Sequence, residues 1–433
     1  MEAFPFMDFF SDRAQPLFHE KMTSSEAMHV AEGCYDYIRS IFSDLHELRP
    51  FEILRAGEDR ADYLIMKGVR IVGLTTPFAF LHREKLLNLG FRFESLLLLD
   101  SGQILDSEAF FTFLLQGLHE ETGTSLLERL IMVGDDTVLS PRVSSTALAR
   151  RCNLNQSLFT RLTRLGFPSI ELEVQSEYRP TIANVFRPCY TELIDSNLLL
   201  QNEAFKYANP GFCFETQFIN VDNYLDRGET EPRKRFIQNL GEAEYAVAIF
   251  MYMRLIGYPN ESISILTSTY GQKELIKDVI RQRCGWNKFF GMPCVVATID
   301  EYQDQRNSFV IVSLVRTKQL GNLSDGRRLL SAFSRATTGL YILGRKDLFQ
   351  EADIFESYFK SLWLYPSDHL WLNTEESFGS KSRNVDNHQL NFNAKSSKWQ
   401  TASKKDQQKI KAISSVEDMG GFVHALSQQK LQE

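Results

Sequence analysis

Short apolar runs separated by stretches long enough for helices dominate the chain. Val69-Arg70-Ile71-Val72-Gly73-Leu74, Leu96 to Leu99 and Leu130 to Val133 form a first group. After Pro168 the rhythm restarts with Ile263 to Leu266, Val295 to Ile299, Phe309 to Val312 and Leu340 to Leu343. Runs of this length, apolar on both faces, predict buried parallel strands connected by helices. Two α/β domains joined near residues 165 to 175 are the simplest account. Ahead of them, Ala27, Val30, Ala31, Cys34, Tyr35, Ile38 and Phe42 recur at helical spacing and predict an amphipathic helix over Ser24 to Leu48. Beyond about residue 375 the chain turns to Ser, Asn, Gln and Lys, which predicts a mostly disordered tail with one short helix at Val416 to Leu426. No internal repeat is present.

Composition narrows the class. With 433 residues, 43% hydrophobic and 24% charged, the chain can fill two or three domain cores and is neither a disordered nor a polybasic protein. Its formal charge of −7 gives no global attraction to a polyanion, so any nucleic-acid site must be a local surface. Six cysteines lie singly, without a CxxC pair, which fits a reducing compartment and predicts no metal site. No apolar stretch approaches the roughly 20 residues that span a bilayer, and no basic segment followed by an apolar core opens the chain. We therefore expect no membrane partner and a cytosolic or nuclear location.

In open α/β sheets the ligand site forms on loops at the carboxyl ends of strands. Asp100-Ser101-Gly102-Gln103 follows the second run, and Gly134-Asp135-Asp136 the third. In the second half, Thr298-Ile299-Asp300-Glu301-Tyr302-Gln303 follows a strand, and Arg327-Arg328 to Ser334-Arg335 leads into the last one. Arginines there offer a rigid fork of donors suited to phosphate. Taken singly, each segment is equally a capped loop or a solvated charge pair. Isolated His82, His119 and His369 read as structural, and Phe250, Tyr252 and Tyr258 as core.

The order of these segments, together with Gln156 to Arg161, Asn239-Leu240-Gly241-Glu242-Ala243-Glu244-Tyr245, Phe250 to Met253 and Ser313 to Thr317, resembles the superfamily 1 RNA helicases with two RecA-like domains. Within them it resembles the intron-binding helicases of the spliceosome, over about residues 4 to 375. The resemblance implies a helical segment over 1–64 that belongs to an insertion or stalk of the first motor domain. It further implies the C-terminal part of a first RecA-like domain over 65–168 and a second RecA-like domain over 169–375, leaving 376–433 as tail.

The same resemblance distributes roles. Arg335 is the finger on the transferring phosphoryl group, with Arg328, Gln303 and Asp100 as further catalytic positions. Gln103, Gly134, Asp135, Arg179 and Glu242 fall at nucleotide-binding positions, and Thr75, Thr298 and Tyr270 at RNA-contacting ones. The implied cofactors are ATP and Mg²⁺, the implied partners single-stranded intron RNA of pre-mRNA and spliceosomal proteins, and the implied location the nucleus.

Departures from the family pattern cut against turnover. No G-x-x-x-x-G-K-[ST] loop occurs anywhere in the chain. Aligned on Gln103, the acidic motif puts Leu99 where an acid should hold Mg²⁺, and the glutamine that senses the γ-phosphate is replaced by Val138. The glycine that normally follows Gln303 is Asp304, and the acid two residues later is Arg306. We therefore expect the C-terminal portion of a helicase that, as this chain, does not hydrolyse ATP. An active ATP-dependent helicase is the alternative if an upstream segment supplies the P-loop. A dehydrogenase-like enzyme is disfavoured because no G-x-G-x-x-G turn is present.

Overall fold

The computed structural model describes residues 4–10, 17–19, 22–116, 122–138, 140–141, 143, 145–285, 287, 289–379, 392–393, 398–399 and 410–432. Two compact units divide the chain: Met1–Leu98 with Ser107–Ile131, and Leu99–Asp106 with Met132–Glu433. This division runs differently from the boundary expected near residue 168. It assigns the loops after the second and third apolar runs to the unit that carries the later motifs.

In the first unit, helix α1 (Ser24–Ile53) continues past the predicted end at Leu48. Thr23 opens it: its amide and hydroxyl both donate to the Glu26 carboxylate at 2.9 Å, a reciprocal cap of the Thr-x-x-Glu type. Cys34 and Ile38 on its inner stripe are buried with Phe10. Strands β1 (Ser95–Leu98) and β2 (Arg129–Met132) pair in a two-stranded sheet. The strand expected over Val69 to Leu74 does not form. No described residue pairs with that run, and Ile71 is 90% exposed; without a ladder partner an apolar run of this length has nothing to hold it extended. The predicted residue His119 lies outside the described residues.

The second unit is built on β3 (Thr216–Asn220), β4 (Thr230–Arg233), β5 (Phe236–Gln238), β6 (Ile263–Thr267), β7 (Val295–Thr298), β8 (Asn307–Ser313) and β9 (Ala336–Gly344). Five of them form one sheet in the order β3-β9-β8-β6-β7 with every pair parallel. Ile265, Val310, Val312, Leu340 and Ile342 are fully buried, as a parallel sheet covered on both faces requires. The four apolar runs predicted after Pro168 are all strands of this sheet, and the expected α/β class with a RecA-like parallel sheet is borne out. The edge strand β3 and the separate antiparallel hairpin β4–β5 are additions that the apolar pattern did not mark.

Helices α2 (Leu240–Leu255) and α3 (Tyr270–Cys284) follow β5 and β6, and α4 (Gly326–Phe333) precedes β9. Nearly every side of α2 is buried, including Phe250 and Tyr252, so the sheet alone cannot cover it. Its second cover comes from the helix expected over Val416 to Leu426, which runs further than expected, and from a strand in the stretch expected to be disordered. Residues Ile410–Ile413 form β11, antiparallel to β10 (Leu370–Asn373), and α5 (Val416–Gln432) lies on α2. Val416, Met419 and Val423 are buried in the cluster that holds Tyr245 and Tyr252, and the Phe422 and Tyr252 rings lie 5.8 Å apart. Low apolar content masked this docking, because one helical stripe is enough to close a core whose other walls are already built.

Met419 is fully buried between α5 and the sheet-facing core. Met419→Ala should lower the unfolding free energy by about 2–5 kcal/mol, the range for a large-to-small change in a packed interior. Urea unfolding of the two proteins checks this; a loss under about 0.5 kcal/mol would mean that α5 is not part of the core.

Candidate functional site

The loops after β1 and β2 lie against each other in the second unit. The Ser101 amide and hydroxyl both donate to the Val133 carbonyl at 2.9 Å. Gly102 and Gly134 make this approach feasible, since a Cβ on Gly102 would fall 2.5 Å from the Asp135 carbonyl oxygen and one on Gly134 2.8 Å from the Gly102 nitrogen. The Gln103 amide closes the turn by donating to the Asp100 carbonyl at 2.9 Å. Asp135 accepts from the Thr137 amide at 2.8 Å and from the Tyr190 hydroxyl at 2.8 Å. Burial and the Asp135 charge push the Tyr190 phenol upward, which keeps it a proton donor to that carboxylate. Val138 packs into the apolar cluster of Phe186 and Phe333, so the residue replacing the glutamine has a packing role.

Asp100 meets the loop after β7. Burial raises its carboxyl above the usual range, and the neighbouring Asp304 raises it further. Asp304 holds a φ of 56°, the left-handed region that favours glycine. The glycine-type backbone expected of this motif is therefore kept, while the substitution adds a carboxylate beside Asp100. Gln303 is half-buried in the same loop. Arg306, at the position of the missing acid, pairs with Glu177.

Arg335 and Arg328, the arginines expected at catalytic positions, are held by partners in their own unit. Arg335 donates to the Ser331 carbonyl at 2.8 Å and to the Ser334 hydroxyl at 3.3 Å. Arg328 pairs with Asp300 at 3.1 Å, and burial lowers its guanidinium from the ordinary value. Arg179 and Glu242 do not reach an open surface. Arg179 is 2% exposed and donates to Asn209 at 2.9 Å and to the carbonyls of Tyr207 and Ala204 at 2.8 and 3.1 Å, so it staples that loop and offers no free fork to a nucleotide.

Glu242 belongs to a buried network at the carboxyl ends of β6 and β8. Its carboxylate accepts from the Ser313 hydroxyl at 2.6 Å, the Val315 amide at 2.7 Å and the Asn239 side chain at 3.2 Å. Asn239 caps α2, donates to the Val315 carbonyl at 3.3 Å, and exchanges two hydrogen bonds with Gln272. Val315 sits at a φ of 73°, a conformation that a β-branched residue keeps only when its surroundings over-determine it. Here both its amide and its carbonyl are held by the network. The Asn239-x-x-Glu242 spacing carries the cap in the sequence; the link to Ser313, 71 residues away, is not visible there.

Thr298 and Tyr270 stand on this same end of the sheet. The Thr298 amide donates to Glu301 at 3.0 Å and its hydroxyl accepts from the Glu301 amide at 3.3 Å, while Lys273 grips Glu301 at 2.8 Å and lies 5.1 Å over the Tyr270 ring. Tyr270 is 56% exposed beside a cleft of about 710 Å³ bordered by Ser268, Thr269, Arg316, Lys318 and Arg235. Thr75, in the first unit, caps the helix Thr76–Leu81 by accepting from the Phe78 amide at 3.4 Å.

A metal does not fit the motif loops. Among the described residues no group of three or more His, Cys, Asp or Glu could hold an ion. Leu99, 61% exposed, brings no oxygen donor to the position where the family pattern has the metal-holding acid.

A family profile described as "AAA domain" matches residues 154–347. The chain is 42% identical to "RNA helicase aquarius" of Mus musculus over 88% of its length and 26% of that protein's. It is 34% identical to "Pre-mRNA-splicing factor cwf11" of Schizosaccharomyces pombe over 88% of its length and 29% of that protein's. To "NFX1-type zinc finger-containing protein 1" of Mus musculus it is 27% identical over 68% of its length and 14% of that protein's. It thus spans between a quarter and a third of the first two relatives.

Burial pushes the Glu242 carboxyl from 4.5 up to about 7, against the opposing pull of the Ser313 and Val315 donors. The folded chain holds this proton more tightly than the unfolded chain does. Its contribution to stability is therefore fully present below pH 4.5 and lost as pH rises to about 7. The stability of the wild type minus that of Glu242→Gln should fall between pH 5 and pH 7.5 in urea titrations. A difference constant across that window would exclude Glu242 as the titrating group.

Proposed function

We propose that this chain, which belongs to the Aquarius-like superfamily 1 helicases, binds single-stranded RNA across the strand ends of its RecA-like sheet and does not itself turn over ATP. The observation that carries the reading is the exposed Tyr270 ring at the edge of a polar cleft, with Lys273, Glu301 and Thr298 linked beneath it. Exposed aromatics next to basic side chains suit stacking of bases and contact with phosphates, which carry little sequence information. The relatives named as an RNA helicase and a pre-mRNA-splicing factor support intron RNA and spliceosomal proteins as partners and the nucleus as the location. Among the described residues no helix is long and apolar enough to cross a membrane.

Against turnover stand the missing P-loop, Leu99 in the place of a metal ligand, and the paired Asp100 and Asp304. Positioning of metal and phosphates supplies most of the catalysis in phosphoryl transfer, and these residues cannot provide it alone. The retained Arg335, Arg328 and Gln303 favour a second reading, in which a P-loop segment from elsewhere restores an active helicase.

Titration of a labelled single-stranded RNA into the purified chain tests the proposal. Tyr270→Ala should weaken binding by about 1–3 kcal/mol, the worth of one base stacked on an aromatic ring. Thr298→Glu should weaken it as well. Steady RNA-stimulated ATP hydrolysis that disappears in Arg335→Ala would overturn the inactive assignment, and absence of binding at low salt would overturn the RNA assignment.

A further inference from the structure

The hairpin β4–β5 has no part in the sheet, yet it is fixed at both ends. At its base, the Glu229 amide donates to the Thr317 hydroxyl at 3.0 Å, and the Thr317 amide returns a bond to the Glu229 carboxylate at 2.9 Å. Arg316 pairs with the same carboxylate at 3.3 Å, both side chains being largely buried. On the returning strand, Ile237 accepts from the Thr269 hydroxyl at 2.8 Å, and Gln238 donates to the Gly271 carbonyl at 3.0 Å. A Cβ on Gly271 would lie 2.7 Å from the Ile237 carbonyl oxygen, so only glycine lets the strand lie this close to α3. The Phe236 and Tyr270 rings meet edge to face at 6.2 Å. Such fastenings hold the hairpin as a rigid wall of the cleft beside Tyr270.

The tip of that wall is basic. Arg233 pairs with Phe236 across a two-residue turn of Lys234 and Arg235, and all three basic residues are exposed. Arg235 takes a φ of 66°, the left-handed region that favours glycine and disfavours an arginine. Of the nearby acids, Glu229 is spent on Arg316 and Thr317, while the exposed Glu231 borders the cleft and accepts from the Arg235 amide, leaving the tip with a net positive charge. Lys318 also borders the cleft. On a chain of net charge −7, this is a concentrated positive edge facing an aromatic ring.

We infer that the Arg233-Lys234-Arg235 tip is a fixed phosphate clamp, which holds the backbone of a single-stranded RNA whose base stacks on Tyr270. This rests on the RNA-binding reading above and assigns to the hairpin a part that neither the motifs nor the relatives' names give it. An acidic polypeptide could meet the charge but would leave the Tyr270 and Phe236 faces without a stacking partner, so RNA is the better fit.

The test uses the full chain and labelled oligouridylate at about 50 and about 200 mM salt. The variant R233S/K234N/R235G removes three charges while placing glycine at the left-handed position of the turn, so the hairpin is kept. We expect its affinity at low salt to fall at least about tenfold and its log-log salt slope to become shallower by about 2, from roughly 0.7 per lost phosphate contact. Tyr270→Ala should lower affinity with the slope unchanged. If the triple variant matches the wild type in affinity and slope while Tyr270→Ala is impaired, the clamp is overturned and the RNA reading stands. If the wild type binds no oligouridylate, both fall. If polyglutamate binds the wild type more tightly than oligouridylate and loses that advantage in the triple variant, the tip serves an acidic polypeptide and the clamp on RNA is overturned.

Discussion

A single buried carboxylate organises the open end of the sheet. Glu242 draws the Ser313 hydroxyl, the Val315 amide and the Asn239 side chain onto its two oxygens. In doing so it ties the first turn of α2 to the end of β8 and forces Val315 into a left-handed backbone. The reversal at Val315 sends Arg316 and Thr317 to Glu229. The hairpin base, the cleft border and the entry to α3 through Gln272 all follow from that one reversal. A charge so thoroughly desolvated is weak evidence of stability, since burying it costs about as much as its bonds return; its value lies in specifying one arrangement of three chain segments.

On the face that bears the motif loops, each departure from the family pattern finds a local partner. Asp304 retains the left-handed backbone where the family pattern has glycine, and Arg306 finds Glu177 as a partner. Val138 packs into the core where a polar sensor is usual. Each substitution is absorbed locally, by a turn that tolerates Asp, by an ion pair or by an apolar contact.

Much of the sheet was legible because parallel strands buried on both faces leave dense apolar runs, and the second-half runs are all strands. Val69 to Leu74 shows the limit of that reading, since an apolar run becomes a strand only when a neighbour supplies the ladder. The hairpin carries no such run: Thr-Glu-Pro-Arg-Lys-Arg-Phe reads as a charged loop until Thr269, Gly271 and Thr317 are brought alongside it. Arg179 and Glu242, placed at nucleotide-binding positions by the family resemblance alone, are buried in the fold. Whether a charge faces outward or serves as an internal staple depends on partners 25 to 73 residues away.

The docking of α5 on α2 fixes the order in which this protein can mature. Residues 216 to 344 contain every strand of the parallel sheet, so its hydrogen-bond ladders can form as soon as that stretch leaves the ribosome. The outer side of α2 nevertheless stays bare until Met419 and Val423 arrive. In that interval Tyr245 and Tyr252 present an uncovered aromatic surface, a natural site for a chaperone to hold or for a neighbouring nascent chain to stick. The residues of the sheet are thus complete by Gly344, while those that seal the core against α2 lie beyond residue 410.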